Sequence, residues 1–295
     1  MYNSLINELE NLLQQKEFPE SCEKWRDQGE RTDVLTDVYS GQIWRDFQTY
    51  KGKDFLKSPR NYGLRLNFDF FQPMKHRKDY SVGVLYLVIL NLPRSERYKW
   101  KNVIVLGIIP SIGGSEPKSL NEFLKPAINE LQCLWKGIRL KSSLSSVPLT
   151  FRAALLSVTA DVPAARKLCG FTGHSAHHDC SRCLKEFSGG FQEKKDYSGF
   201  DRENWKKRSN KEHRTSASKI ERTKKVSKKK ELCKKYGINY WSSLLDLEYF
   251  DVVRFCTVDP MHNLFLGTAK YVFKLWDKRG IITRKGMKSV EEKIE

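Results

Sequence analysis

The chain has 295 residues, 39% of them hydrophobic, and a formal net charge of +18. That length and apolar content suffice for one large or two modest cores and exclude a disordered tail. The charge is uneven, since residues 202–235 hold fifteen Lys or Arg against four Glu and supply +11 of the total, a concentration suited to phosphate contacts. The first residues lack a basic start followed by an apolar run and a cleavage site, and the longest apolar stretch, 82–92, is too short to cross a bilayer. A soluble intracellular protein with no membrane partner is expected. Seven cysteines in a chain this long do not make a disulfide framework, and Cys180 with Cys183 is the one CxxC pair.

In chain order, Leu5, Leu9, Leu12 and Leu13 recur at helical spacing. Val34, Val38, Ile43, Trp44 and Phe47 do so again after Asp33, a cap candidate, despite Gly41. Residues 1–57 read as a helical lead-in. From Gly63 the period changes to two, with Leu64, Leu66, Phe68 and Phe70 on one face and Arg65, Asn67, Asp69 and Phe71 on the other. Residues 82–92 and 103–109 read as two buried strands joined by a charged hairpin loop, 94–101. Ser119-Leu-Asn-Glu122 fits a capping box, and Leu120, Phe123, Leu124, Ala127, Ile128, Leu131, Leu134, Trp135 and Ile138 mark one helical face that Pro126 is expected to kink or divide. The run 149–161 reads as a fourth strand ending at Asp161, which is also placed to cap a helix opening Val162-Pro163-Ala164.

The order strand, strand, strand, helix, strand, helix predicts an α/β fold with a mixed sheet, in which a right-handed crossover lays the fourth strand parallel to the first and beside it. Asp69 and Asp161, 92 residues apart in sequence, would then meet near the carboxyl ends of adjacent strands. This core, with the CxxC segment, occupies residues 58–187. Residues 188–237 read as a basic linker or insertion, partly helical, and 238–295 as a helical region. In that region Asp259-Pro-Met-His-Asn263 opens a helix expected to bury Leu264, Phe265, Ala269, Val272, Phe273 and Trp276. The sequence ends in Val290-Glu-Glu-Lys-Ile-Glu295 without a terminating signal, as expected of a truncated chain.

Carboxylates on neighbouring strand ends can share a divalent metal in a geometry suited to phosphodiester chemistry. For Asp161 an ordinary N-cap worth about 1 kcal/mol is the competing reading. Asp69 has less of one, because Asp is disfavoured inside strands. His174, His177, His178, Cys180 and Cys183 fall within ten residues, and thiolate with imidazole suits Zn²⁺. The CxxC pair supplies half a site, with His174, His177, His178 or residues elsewhere completing it and Cys169 less suited. A reduced thiol pair with surface histidines is the alternative. His262 reads by default as a packed or solvent-facing side chain. The basic run, poor in aromatics, suits phosphates without base readout, and reads equally as a solvated linker or a nuclear import signal.

Six segments, taken in order and spacing, carry a resemblance. Asp37-Val-Tyr-Ser-Gly-Gln-Ile-Trp44, Gly63-Leu-Arg-Leu-Asn-Phe-Asp69, Asn91-Leu-Pro93, Leu155-Leu-Ser-Val-Thr-Ala-Asp-Val-Pro-Ala164, Cys180-Ser-Arg-Cys183 and Asp259-Pro-Met-His-Asn263 together resemble the CACTA-type (EnSpm-like) DNA transposases. The resemblance implies an RNase H-like core in which Asp69 and Asp161 match the first two of three acids holding catalytic Mg²⁺ or Mn²⁺. It further implies DNA as partner, cut-and-paste strand cleavage and transfer, and a nuclear location, with assembly as a homo-oligomer left open. The third acid lies in that family well beyond the segment matching Met261-His262. Glu248, Asp251, Glu291 and Glu292 stand in no motif that matches it. A transposase-derived DNA-binding protein without catalysis and a plain RNase H-like nuclease are the rival readings.

Overall fold

The computed structural model describes residues 2–27, 34–76, 80–111, 117–173, 176–178, 180–186, 201, 203, 205–282 and 286. The chain divides into two compact units, Met1–Thr257 and Val258–Glu295. In the first, the four predicted leucines form the buried stripe of α1 (Leu5–Leu13), whose start is capped by Ser4. The rest of the lead-in is a series of short pieces: α2 (Phe18–Ser21), a 3₁₀ turn at Val38–Ser40, α3 (Gln42–Asp46) and a small hairpin of β1 (Thr49–Tyr50) and β2 (Lys53–Asp54). Gly41 separates the 3₁₀ turn from α3, so no single helix follows the apolar periodicity. Asp37 supplies the cap at Val38, and the expected cap, Asp33, lies outside the described residues.

The main sheet contains β3 (Asn61–Phe71), β4 (Val82–Ile89) and β5 (Val103–Pro110), then β6 (Ile138–Ser142), β7 (Ser145–Ala160) and β8 (Cys256–Val258). Its order is β5-β4-β3-β7-β6, with β8 also paired to β7. β3 runs antiparallel to β4 and parallel to β7, as the crossover argument requires. The β4–β5 connection is not a plain loop, since it folds α4 (Arg94–Arg97) and a 3₁₀ turn at Trp100–Asn102. β5 is not fully buried either. Ile104, Leu106 and Ile109 face the core while Val105 and Ile108 are exposed, because this strand is paired to β4 at one end of the sheet order and buries one face.

The crossover helix, α5 (Asn121–Lys136), buries Leu124, Ala127, Ile128, Leu131 and Leu134 as its spacing predicts. The expected capping box does not form: Ser119 Oγ accepts from Asn121 N, and the Asn121 side chain instead donates to Trp241 O and accepts from Ser243 N. α5 runs unbroken through Pro126. Ile138 leaves the helical face, because Gly137 at φ 102° ends the helix and turns the chain into the β6–β7 hairpin, which the periodicity does not reveal. α6 (Val162–Cys169) follows β7. Then α7 (Asn210–Arg222) and α8 (Val226–Tyr236) form a helical pair, and α9 (Val252–Phe255) leads into β8.

The lead-in is clasped to the sheet by a buried ion pair. Arg97, 2% exposed, donates to both carboxylate oxygens of Asp37 at 2.6 and 3.1 Å, and also to Leu92 O. Burial opposes the guanidinium charge, but Asp37 and Tyr39 outweigh it and raise the Arg97 pKa. Tyr39 OH donates to Asn91 O and Leu92 O. Fully buried Asn91 accepts from Gly63 N and donates to Asn61 O. Two of the motif segments thus serve as scaffold, holding the amino end of β3 in place.

A β-bulge sets the β3–β7 register. Partners differ by 91 in number up to Leu64↔Leu155 and by 92 from Arg65↔Ser157 onward, so Leu156 is the extra residue. Gly63 leaves room for it, since a Cβ there would lie 2.9 Å from both Leu156 Cδ1 and Trp44 Cζ3. The Leu155 amide donates to Tyr249 OH at 3.0 Å, beyond Phe151, where the pairing with β6 ends. Burial of that phenol raises its pKa.

The second unit consists of a π-helical segment, Met261–Ala269, continued by α10 (Lys270–Lys278). The face expected to be buried is open: Leu264 is 50%, Phe265 62%, Phe273 47% and Trp276 40% exposed. An amphipathic pattern marks a face able to pack, and on this one Ala269 and Val272 are half-buried while the larger side chains are exposed. None of the described helices is long and apolar enough to cross a membrane.

Gly63→Ala is expected to destabilise the first unit by about 1–3 kcal/mol through overpacking against Trp44 and Leu156, measured by urea unfolding. An unchanged midpoint would show that the close approach at the bulge does not constrain the strand pair.

Candidate active site

The register after the bulge gives the strand positions of the two predicted aspartates. Asn67 pairs with Thr159, and Asp69 and Asp161 each stand two residues further along. Alternation places Asn67 and Asp69 on the same face of β3. The face is polar on β7 as well, where Thr159 Oγ1 lies 2.9 Å and Ser157 Oγ 3.4 Å from Thr257 Oγ1. Asp69 is exposed and Asp161 half-buried.

Asp161 is an N-cap: its Oδ1 accepts from Ala164 N at 2.7 Å, and Pro163 in the first turn of α6 strengthens the helix start. The two readings of this residue are compatible. A carboxylate has further lone pairs after one is used, and the cap bond holds the group in a fixed orientation. Carboxylate oxygens are the ligands that Mg²⁺ and Mn²⁺ prefer. Beneath the pair, the buried Asn67 Nδ2 has no hydrogen-bond partner among the described residues, leaving a donor on this face for an oxygen acceptor. The residues present therefore fit a hard divalent cation with oxygen ligands. Among the described residues no three His, Cys, Asp or Glu side chains group to hold a metal ion.

The other acids weighed for this site lie elsewhere. Glu248 Oε1 accepts from Trp135 Nε1 at 2.9 Å, and Trp135 O accepts from Arg152, which pairs with Asn61 at the opposite end of β3 from Asp69. Asp251 Oδ1 caps α9 through Val253 N and Arg254 N. Glu291 and Glu292 lie outside the described residues.

In the CxxC segment, Cys180 Sγ accepts from Arg182 N at 3.3 Å and Cys183 is buried. Burial is the main cause raising the Cys183 pKa, and the neighbouring Cys180 thiol adds to it. Arg208, itself buried, donates to the carbonyls of both cysteines and to Tyr236 O, fastening the segment to the end of α8. His178 Nε2 lies 3.2 Å from Glu186 Oε1 and His177 is exposed, while His174 lies outside the described residues. Cys169 is buried in the core. In the second unit, His262 Nδ1 is 2.5 Å from Asp259 Oδ2, so this ring is paired and half-exposed.

The basic stretch is folded. Ser209 Oγ caps α7 by accepting from Glu212 N and donates to Glu212 Oε2, and His213, Ala217 and Ile220 are buried. Burial is the main cause pushing the His213 pKa down to about 3, so its ring is neutral. Arg214 turns inward to Leu245, Leu247 and Phe250 carbonyls. Lys224, Lys225, Lys228, Lys230, Lys234 and Lys235 remain exposed. Two of the arginines are thus structural fasteners, and the lysines provide the outward charge.

Sequence reasoning missed a cleft beside Asp161 lined by Lys118, Arg166, Lys167 and Tyr240, among others. Arg166 and Lys167 lie five and six residues past Asp161, and that proximity is the signal available. Lys118 and Tyr240 are remote in sequence and come near only through the fold.

With this arrangement in view, comparison with protein families is decisive for class. The sequence model described as Transposase family tnp2 matches residues 33–235, a span holding both aspartates, the CxxC pair and most of the helical pair, and the chain belongs to that family. Comparison with curated proteins gave no match.

Asp161→Ser should keep the cap, staying within a few tenths of a kcal/mol of the parent, whereas Asp161→Ala should cost about 1 kcal/mol, both by thermal unfolding. If Ser were as destabilising as Ala, the cap bond would not be what Asp161 contributes to the fold.

Proposed function

We propose that this chain is a CACTA-type DNA transposase, cutting and joining DNA phosphodiesters with Asp69 and Asp161 as metal-holding carboxylates of an RNase H-like core. The observation that carries the reading is the parallel β3–β7 register, which sets the two acids at adjacent strand ends. The order β5-β4-β3-β7 with β8 beyond β7, and β4 antiparallel, supports the RNase H-like assignment. Family membership supports DNA as the substrate. Mg²⁺ or Mn²⁺, when bound, would supply an activated oxygen nucleophile and stabilisation of the leaving oxygen. The chain's own part is to orient: Asp161 is fixed by Ala164 N, Asp69 by the β3–β4 pairing with Val84, and the Asn67 amide offers a donor on the same face.

The exposed lysines of α7 and α8 supply phosphate attraction without base readout, and the same stretch would serve as a nuclear import signal. If these lysines neutralise about six phosphates, log K for DNA should fall with log salt at a slope near −5. Cys180 and Cys183 we assign as half of a Zn²⁺ site, in which metal binding would deprotonate both thiols.

Asp69→Asn and Asp161→Asn, each incubated with DNA and Mg²⁺ or Mn²⁺, should lose strand cleavage by at least about a hundredfold while binding DNA as before. Cleavage by either variant at the parent rate would remove that carboxylate from the chemistry. Salt-sensitive binding without cleavage by the parent would leave a DNA-binding protein instead. For zinc, elemental analysis of the protein with reduced cysteines should give about one Zn²⁺ per chain, lost in Cys180→Ser; its absence from the parent would end the assignment.

A further inference from the structure

The connection between β4 and β5 sets two aromatic side chains on the surface with basic residues around them. Trp100 is 86% and Tyr98 51% exposed, although rings of this size dominate what a core gains by burial. The Trp100 indole belongs to neither the core nor a ring stack among the described residues. The turn is anchored from within. Arg97 is directed inward to Asp37, and Asn102, 3% exposed, donates through its side chain to Glu96 O and through its backbone to Lys99 O. Tyr98 and Trp100 stand between these two inward residues and face out. Asp37 neutralises Arg97 and Lys99 neutralises Glu96, which leaves Arg94 and Lys101, both exposed, as the net charge of the turn.

This turn is joined to the sheet face that carries Asp69. Arg65 Nη1 donates to Tyr98 OH at 2.7 Å, and alternation sets Arg65, Asn67 and Asp69 on one face of β3. Cross-strand pairing carries that face on to β5, with Asn67, Tyr86 and Val105 in one row and Asp69, Val84 and Ile108 in the next. Val105 and Ile108 are exposed. Arg65 precedes Asp69 by four residues, about 13 Å of strand, so the aromatic turn and Asp69 stand at the two ends of a strip a few nucleotides long. Aromatic faces interleaved with cations suit a nucleic-acid strand with unpaired bases, because any base can stack and the cations meet the phosphates. The helical pair lacks this feature, since it exposes lysines without exposed aromatic rings.

We propose that Tyr98 and Trp100 form a stacking platform for unpaired bases of the DNA strand that reaches Asp69, with Arg65, Arg94 and Lys101 on its phosphates. This rests on the reading of the chain as a DNA-processing protein, and it adds the state of the DNA that is gripped. A duplex keeps its base faces within its own stack, so the platform selects single-stranded or unpaired ends. The lysines of the helical pair attract any DNA, whereas the platform distinguishes strand from duplex.

The test measures binding of the full chain to a single-stranded oligonucleotide and to its duplex, with Ca²⁺ in place of Mg²⁺ so that no cleavage intervenes. Trp100→Ala should weaken single-strand binding about tenfold, and Trp100→Phe should recover most of it. Neither should change duplex binding or the thermal unfolding midpoint. Because Trp100→Ala removes no charge, its slope of log K against log salt should match the parent's, whereas Lys101→Gln should flatten the slope by about 0.7. Ultraviolet crosslinking of a single strand carrying 5-iodouracil, followed by peptide mapping, should place the crosslink at Tyr98 or Trp100. Equal single-strand affinity of parent and Trp100→Ala, an equal loss on the duplex, or crosslinks only outside residues 94–101 would overturn this inference and leave the functional reading in place. So would a Trp100→Ala variant whose only change is a lower sedimenting mass, since the turn would then bind a second copy of the chain. A parent chain that binds neither form of DNA would remove the functional reading and this inference together.

Discussion

The parallel hydrogen-bonded pairing of β3 with β7 is the constraint on which the rest of the molecule depends. It joins segments separated by nearly a hundred residues, and its bulge decides which residues face each other. Before the bulge the offset is 91 and after it 92, and 92 is also the separation of Asp69 from Asp161. Without the extra residue Asp69 would stand level with Ala160, and every β7 side chain beyond that point would face the other side of the sheet. The absence of a side chain at Gly63 permits the bulge, so a backbone feature far down the strand sets the relation of the two carboxylates.

Around that pairing the chain arranges supports whose charges have different tasks. Arg97 and Asp37 form a buried bidentate pair, the kind whose disruption costs about 3–5 kcal/mol by leaving one charge unpaired. Arg208 and Arg214 spend their donors on backbone carbonyls of loops that would otherwise be buried without partners. On the helical pair, Lys224, Lys225, Lys228, Lys230, Lys234 and Lys235 lie exposed. Their charge faces outward, which is where a polyanion would meet it.

Much of the architecture was legible because it rests on local periodicity. The alternation in β3, the apolar stripes of α1 and α5, and the turn at Asp161-Val-Pro are each written in a few consecutive residues. The parallel pairing of the strands that carry Asp69 and precede Asp161 followed from handedness and strand order alone. What escaped is what depends on non-local contacts. Asn121 looks like part of a capping box but is recruited by Trp241 and Ser243, and Ile138 continues a helical stripe but lies past a glycine with positive φ. The open apolar face after Pro260 shows that an amphipathic pattern does not say whether a partner is present. Motif residues such as Asn91 and Tyr39 read as signatures and turn out to be fasteners, while Lys118 and Tyr240 carry no local mark of the cleft they share.

We propose that Asp69 and Asp161 share a divalent cation between adjacent strand ends. Fe²⁺ substituted for Mg²⁺, with ascorbate and peroxide, generates radicals that cut the polypeptide close to the bound metal. Cuts near residue 69 and near residue 161 in the same preparation, both lost in Asp69→Asn and both lost in Asp161→Asn, are the expected result. Cutting at one position only, or cuts at one that survive substitution of the other, would contradict a shared site.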